Sequence, residues 1–173
     1  MFLLDTSVLS HAQYSRQHPA VGAWLEEQES VAIPFPALLE VQQGIFEVRL
    51  TKPDLAAELL IWLEGLLSVD HDFPEINPEV ARVLAMLYCC EPLRHLWYTN
   101  PDSSKKKKPG QDLFIAAVSI AHNIPIATLN NKDFAMIDRY HRLPGAYNPA
   151  FSFWIVAPPE TRQTCVVSRV KVA

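Results

Sequence analysis

Apolar residues along this chain fall into two patterns, short continuous runs and longer runs with helical spacing. Residues 2–4 form a continuous apolar run of the kind that makes a strand covered on both faces of a sheet. Residues 31–34 and 124–128 have the same pattern and predict two further strands. Residues 151–156 and 164–170, in a tail rich in proline and aromatic residues, are also strand-like.

Between these runs, apolar residues recur every three or four positions and predict helices. We expect helices over residues 21–29, 36–50, 54–67, 77–90, 112–123 and 134–140. The helix over 112–123 is apolar on nearly every side, which predicts a buried helix. It nevertheless begins with a carboxylate, Asp112. Residues 68–71 predict a short strand, and residues 91–110 a long connection.

The alternation of strands and helices predicts a three-layer α/β/α fold with a mainly parallel central sheet. A length of 173 residues, 49% of them apolar, suits one domain with a sizeable core. Three cysteines without a CxxC motif favour a reducing, cytoplasmic setting. The N-terminus lacks the basic segment of a signal peptide, and the apolar residues 59–67 are too few to span a membrane.

Net charge gives no general sign of nucleic-acid binding, because the chain carries a formal charge of −4. A local basic patch does occur in the long connection, where four successive lysines precede the helix that begins at Asp112. They are Lys105, Lys106, Lys107 and Lys108. These lysines could hold the phosphates of a nucleic acid, or they could form a solvated loop without a partner.

Four acidic residues stand where an α/β fold places its functional groups. Asp5 follows the first strand, at the carboxyl edge of the sheet, and could be a site residue or only a helix cap. Glu40 lies one turn into a helix and could instead face solvent. Asp133 follows the strand over 124–128, and Asp112 reaches the same edge if the long connection returns there.

If Asp5, Glu40, Asp112 and Asp133 converge, their repulsion should raise the pKa of at least one carboxyl group. We expect the N-terminus of its helix to help keep Asp112 ionised. Oxygen ligands select hard cations, so Mg²⁺ or Mn²⁺ is expected. Such a cation can activate water against a phosphodiester. The sequence has no HExxH, GxSxG, P-loop or GxGxxG motif to support another chemistry.

Four segments of the chain, in order and spacing, resemble the PIN-domain family, and most closely its VapC-type toxin ribonucleases of type II toxin–antitoxin systems. Each is weakly specific alone, but the four in register are strongly so. They are Phe2-Leu-Leu-Asp5-Thr-Ser-Val-Leu9, Pro36-Ala-Leu-Leu-Glu40-Val-Gln-Gln-Gly44, Gln111-Asp112-Leu-Phe-Ile-Ala-Ala117 with Ala121-His-Asn123, and Ala127-Thr-Leu-Asn130-Asn-Lys-Asp133-Phe134.

The resemblance implies a metal-dependent endoribonuclease with Asp5, Glu40, Asp112 and Asp133 as catalytic acids. Asp5 and Asp112 would be the main metal ligands, with Asp133 nearby and Glu40 supporting water or metal. Further residues, by position in the family's motifs, would line the site: Thr6, Thr128 and Asn130. The resemblance also implies an RNA substrate, a homodimer and a small antitoxin protein that binds near the acids.

The chain departs from the family's pattern in three places. Ser7 stands where these toxins commonly have asparagine, and the lysine-rich loop is longer and more basic than usual. The resemblance places a PIN-like nuclease domain over residues 1–148, and leaves residues 149–173 as a tail of unknown role. This tail could be an added strand, a dimer arm or a disordered appendage. A PIN-like module that binds RNA or an antitoxin without turnover, and a DNA nuclease of related fold, remain alternatives.

Overall fold

The computed structural model describes residues 1–13, 18–98 and 110–161. At its centre is a five-stranded sheet in the order β2-β1-β3-β4-β5. The strands are β1 (Phe2–Leu4), β2 (Val31–Ala32), β3 (Ile126–Ala127), β4 (Ala146–Asn148) and β5 (Phe153–Val156). The first four are parallel, and β5 joins the edge beside β4 in the antiparallel direction.

Helices flank this sheet, and the predicted three-layer α/β/α fold with a mainly parallel sheet is confirmed. In chain order they are α1 (Thr6–Leu9), α2 (Pro19–Glu26), α3 (Phe35–Arg49), α4 (Pro53–Leu67), α5 (Pro78–Cys89), α6 (Asp112–His122) and α7 (Asn131–Tyr140). Within the described residues, two short 3₁₀ helices are also present, over Ser10–Ala12 and Glu91–Leu96. None of the described helices is long and apolar enough to cross a membrane.

Local sequence signals explain where several helices begin and end. Proline stands in the first turn of α2, α3, α4 and α5, where its missing N–H costs no hydrogen bond. The Asn77 side chain caps α5 by accepting from the backbone N–H groups of Glu79 and Val80. At the C-terminal end of α6, Asn123 adopts the left-handed backbone conformation with φ 53°, which commonly ends a helix.

The core lies on the two faces of the sheet, and α6 is its most deeply buried helix. Leu113 and the unbroken stretch from Ile115 to Ser119 are buried, as the apolar sequence predicts. A second, smaller cluster joins α3 to α4 through Ile45, Ala56 and Leu63. This α3–α4 hairpin therefore has a local core of its own beside the main one.

Some element boundaries differ from prediction. The predicted strand over 68–71 is absent, and Asp72 instead makes one isolated parallel bridge to Ala32 of β2. The connection predicted over 91–110 begins with a 3₁₀ helix. Helix α7 begins at Asn131 and not at Phe134, because the Asn130 side chain caps it. Strand β4 was not predicted at all.

The tail begins with an added strand, which is one of the three roles that the sequence left open. Strand β5 pairs with β4, so the tail as far as Val156 belongs to the same sheet. The predicted strand over 164–170 and the four lysines lie outside the described residues. The division into residues 1–148 and 149–173 stays a prediction.

Candidate active site

The first acid, Asp5, is buried at the carboxyl edge of the sheet, directly after β1, and is only 3% exposed. Its Oδ2 accepts hydrogen bonds from Ser7 Oγ at 2.5 Å and Thr128 Oγ1 at 2.7 Å. Thr128 directly follows β3, and the parallel pairing of β1 with β3 brings the two residues side by side. Asp5 is also the N-cap residue of α1, so that position does not keep it out of the site.

The hydroxyl group of Ser7 links two loops at this edge. It donates to Asp5, and it accepts a hydrogen bond from the backbone N–H of Leu129 at 3.0 Å. Sequence reasoning treated Ser7 only as a departure from the family's pattern. The signal that could have found it is its place two residues after Asp5, where a short side chain can turn back to a carboxylate.

Glu40 belongs to the same site, although it comes from α3. Its Oε2 accepts a hydrogen bond from Thr6 Oγ1 at 2.8 Å, and the residue is partly buried. Thr6 directly follows Asp5 in the chain. This contact decides between the two alternatives for Glu40, because a side chain held in this way is not on a solvated face.

Asn130 joins the two remaining acids. Its side-chain Nδ2 donates to Asp133 Oδ2 at 2.8 Å and to Asp112 Oδ2 at 3.3 Å. Its backbone N–H donates to Thr128 Oγ1 at 2.9 Å, which connects this pair to Asp5. Asp133 lies in the first turn of α7 and Asp112 opens α6, so Asn130 fixes the starts of two helices against each other.

Electrostatics show that the four acids lie close together. The pKa of the Asp112 carboxyl group is raised from 3.8 to about 7, first by burial and then by the negative charges of Asp5, Asp133 and Glu40. The hydrogen bond from Asn130 acts in the opposite direction. The predicted pKa increase is therefore present. The expectation that the helix N-terminus helps to keep Asp112 ionised stays a prediction, since burial and like charges are the causes that raise the pKa of this group.

Burial also raises the pKa of the Asp5 carboxyl group above its ordinary value. Hydrogen bonds from the Ser7 and Thr128 hydroxyls, and from the backbone at Thr6 and Ser7, offset part of this increase. Each donor to Asp5 is neutral. The hydrogen bonds therefore orient the carboxylate without cancelling its charge.

The residues fit a hard divalent cation by their donor chemistry. Four carboxylates supply only oxygen ligands, and the raised pKa of Asp112 reflects negative charge that a cation would balance. Across residues 1–13, 18–98 and 110–161, no three His, Cys, Asp or Glu side chains form a set that could already enclose a metal ion. Mg²⁺ does not require such a set, since it commonly uses one or two carboxylates and keeps several waters.

A model of the PIN domain matches residues 2–140, a range that contains all four acids. The chain belongs to the PIN domain family. The family resemblance read from the sequence is thus confirmed. No curated protein matches this PIN domain protein by sequence.

Solved structures with this fold include several toxin–antitoxin complexes. VapBC2 from Rickettsia felis, bound to a fragment of its promoter DNA, has a TM-score of 0.55 and 21% identity over 78% of this chain and 91% of that one. A toxin–antitoxin complex from Klebsiella pneumoniae has a TM-score of 0.56 and 21% identity, covering 86% and 98%. FitAcB from Neisseria gonorrhoeae has a TM-score of 0.52 and 21% identity, over 86% of this chain and 98% of that one. At such identities the likeness shows the shared fold.

Proposed function

We propose that this PIN domain protein is a Mg²⁺- or Mn²⁺-dependent endoribonuclease and the toxin component of a toxin–antitoxin module. The observation that carries the proposal is the gathering of Asp5, Glu40, Asp112 and Asp133 at one edge of a PIN-domain sheet. No purely structural need explains four carboxylates placed where they repel one another. A nuclease that depends on a divalent cation does explain them.

Asp5 and Asp112 would be the main ligands of the cation, with Asp133 nearby, and water molecules would complete its coordination. When bound, the cation supplies Lewis-acid stabilisation of a phosphodiester and acidifies a water molecule. The chain's own contribution is to fix the ligands. Hydroxyl donors orient Asp5, and the Asn130 amide orients the other two acids.

Glu40 would have a different role from the other three acids. Thr6 holds one of its carboxylate oxygens by a hydrogen bond, which fixes the orientation of the group. A carboxylate held in this way can orient the attacking water and accept its proton. The four lysines from Lys105 to Lys108 would supply positive charge for the phosphates of RNA.

The test is cleavage of a labelled single-stranded RNA by the purified protein with Mg²⁺, with Mn²⁺ and with EDTA. We expect cleavage with either metal and none with EDTA. Asp5→Asn and Asp112→Asn should each lower the rate by at least about 100-fold, because each removes a ligand charge. Asp54→Asn is the matched control, since Asp54 is exposed in the first turn of α4 and outside the site.

Other outcomes would separate the alternatives. Equal cleavage by wild type and Asp5→Asn would contradict the proposal. RNA binding that persists in EDTA, without cleavage in any metal, would favour a binding module. A parallel assay with single-stranded DNA of the same sequence would separate a ribonuclease from a DNA nuclease.

An exposed apolar face on α3 supports a protein partner for this domain. Phe35, Leu39, Phe46 and Leu50 are between 43% and 85% exposed, although they are large apolar side chains. A groove of about 670 Å³ is lined by three of them together with Gln42, Gln43 and Glu47. Glu40 lies on the same helix as this face.

We propose a small cognate antitoxin as a partner, as in the toxin–antitoxin complex from Klebsiella pneumoniae that shares its fold, and a second copy of this chain as a further partner. Expression of the chain alone should arrest bacterial growth, and co-expression with a short adjacent reading frame should restore it. Sedimentation of the purified protein should give twice the monomer mass. A monomer would contradict the homodimer, and growth unaffected by the chain would contradict the toxin role.

A further inference from the structure

The turn between β4 and β5 lies at the same edge of the sheet as the four acids. Strand β4 is parallel to β3, which is parallel to β1, so its carboxyl end at Asn148 is on the side of Asp5 and Thr128. The chain then turns through residues 149–152 and returns as β5, with Asn148 paired to Phe153. This turn lies beyond residue 140, where the match to the PIN domain model ends.

The turn is fixed to the helix start that carries Asp133. Asn148 is buried, and its Nδ2 donates to Asn131 Oδ1 at 2.7 Å. Its own Oδ1 accepts a hydrogen bond from the backbone N–H of Ala150 at 2.9 Å, which shapes the turn. Asn131 is the first residue of α7 and stands between Asn130 and Lys132. The position of the turn relative to the acids is thus set by named side-chain contacts.

Phe151 in this turn presents an aromatic ring to solvent. It is 73% exposed, although the turn that carries it joins two paired strands, β4 and β5. The next residue, Ser152, has φ 53°, a left-handed conformation that residues other than glycine rarely adopt. Across the hairpin, the Tyr147 and Trp154 rings pack edge to face with centroids 5.2 Å apart. The exposed ring is therefore carried on a well-packed support.

A substrate with phosphates receives little attraction from the acids themselves, because these groups repel a polyanion. Contacts around the acids must therefore supply affinity. Phe151 is uncharged and aromatic, and it lies within roughly 11 Å of chain from Asn148. Lys132, exposed in the first turn of α7 between Asn131 and Asp133, supplies a positive charge nearby. An aromatic face and a cation together are the usual means of holding a single strand.

We propose that Phe151 stacks on a base of single-stranded RNA next to the phosphate at the acid site, while Lys132 contacts the RNA backbone. This inference rests on the proposed ribonuclease function. Stacking on an aromatic side chain accepts any base, so Phe151 contributes affinity and position more than sequence choice.

The experiment measures RNA affinity and stacking separately from cleavage. Short single-stranded RNAs carry 2-aminopurine, whose fluorescence falls on stacking, at each position in turn. They are titrated with Asp112→Asn protein in Mg²⁺, so that cleavage does not interfere. Phe151→Leu keeps an apolar side chain of similar size but removes the aromatic face, and Phe151→Trp keeps that face. Because Phe151 is exposed, both Phe151 variants should unfold at temperatures similar to that of the Asp112→Asn protein in which they are made.

We expect Phe151→Leu to weaken binding by about 5- to 100-fold and to remove the fluorescence decrease at one RNA position. Phe151→Trp should retain both. Lys132→Ala should reduce the slope of log affinity against log salt concentration by about one, whereas Phe151→Leu should leave that slope unchanged. The control is Tyr140→Leu, which removes an exposed aromatic ring at the opposite end of α7 and should change neither signal.

Unchanged RNA affinity in Phe151→Leu would overturn the proposal. So would a change in self-association without a change in RNA binding, which would make the residue a protein contact. The two proposals fail separately. If Asp5→Asn and wild type cut RNA equally while Phe151→Leu loses stacking, the acid chemistry is wrong and the stacking contact stands.

Discussion

Replacement of Asp112 by asparagine should stabilise the protein in the absence of divalent cations at pH 8. The pKa of Asp112 is about 7 in the folded protein, against an ordinary value of 3.8. The folded state therefore holds a proton more tightly than the unfolded chain does. The stability that this proton contributes is complete below about pH 4 and is lost as the pH rises through about 7. Asparagine keeps the acceptor for Asn130 but carries no charge.

The size of the effect follows from the pKa difference. The change from 3.8 to about 7 corresponds to about 4 kcal/mol, at roughly 1.4 kcal/mol for each tenfold change in proton affinity. Asp112 is partly open to solvent, which screens the charges around it, so we expect about 2 kcal/mol. The gain of Asp112→Asn over wild type should be close to zero at pH 4 and largest at pH 8.

Urea unfolding in EDTA at pH 4, 6 and 8 measures this difference. Asp54→Asn serves as the control, because its carboxylate is exposed in α4 and should change stability by no more than about 0.5 kcal/mol at any of these pH values. In a second series with Mg²⁺ at pH 8, wild type should gain stability and Asp112→Asn should gain less. A stability difference between Asp112→Asn and wild type that is the same at all three pH values would refute the reasoning. So would a loss of stability in the variant at pH 8.

Two further substitutions test the local contacts. Thr128→Val removes one of the hydroxyl donors to buried Asp5, so the free energy of unfolding at pH 8 should fall by about 1–3 kcal/mol; Thr51→Val, at an exposed hydroxyl, should have little effect in the same urea experiment. Asn77→Ala removes the cap of α5 and should lower the free energy of unfolding by about 1 kcal/mol. If Asn77→Ser restores that stability, capping is the cause.

The sequence predicted the fold well because the signals that define it are local. Continuous apolar runs mark buried strands, and proline and asparagine mark helix starts, so the order of elements could be read directly. Strand β4 was missed because Ala146–Asn148 is short and has no apolar run. It is a strand only because β3 on one side and β5 on the other supply its hydrogen bonds. Partners distant in sequence leave no such local mark.

The candidate site likewise divides into residues with local sequence signals and contacts between residues distant in sequence. The residues Asp5, Glu40, Asp112 and Asp133 were all named from strand ends, helix starts and the family's motifs. Their hydrogen-bond partners were less visible, since the contact between Thr6 and Glu40 spans 34 positions and that between Thr128 and Asp5 spans 123. Ser7 was not predicted to be a site residue, because nothing local tells a hydroxyl that caps a helix from one that also holds a carboxylate.

The way in which these acids are held distinguishes the site from an ordinary buried ion-pair cluster. In the part of the chain that the structure describes, Asp5, Glu40, Asp112 and Asp133 accept hydrogen bonds from hydroxyl, amide and backbone groups, and none of these donors is arginine or lysine. Buried Asp138, in contrast, is paired with Arg142. Neutral donors fix the orientation of a carboxylate and leave its negative charge in place, whereas an arginine would neutralise that charge. An arrangement that orients four carboxylates while preserving their repulsion is costly to stability, and a bound cation would offset that cost.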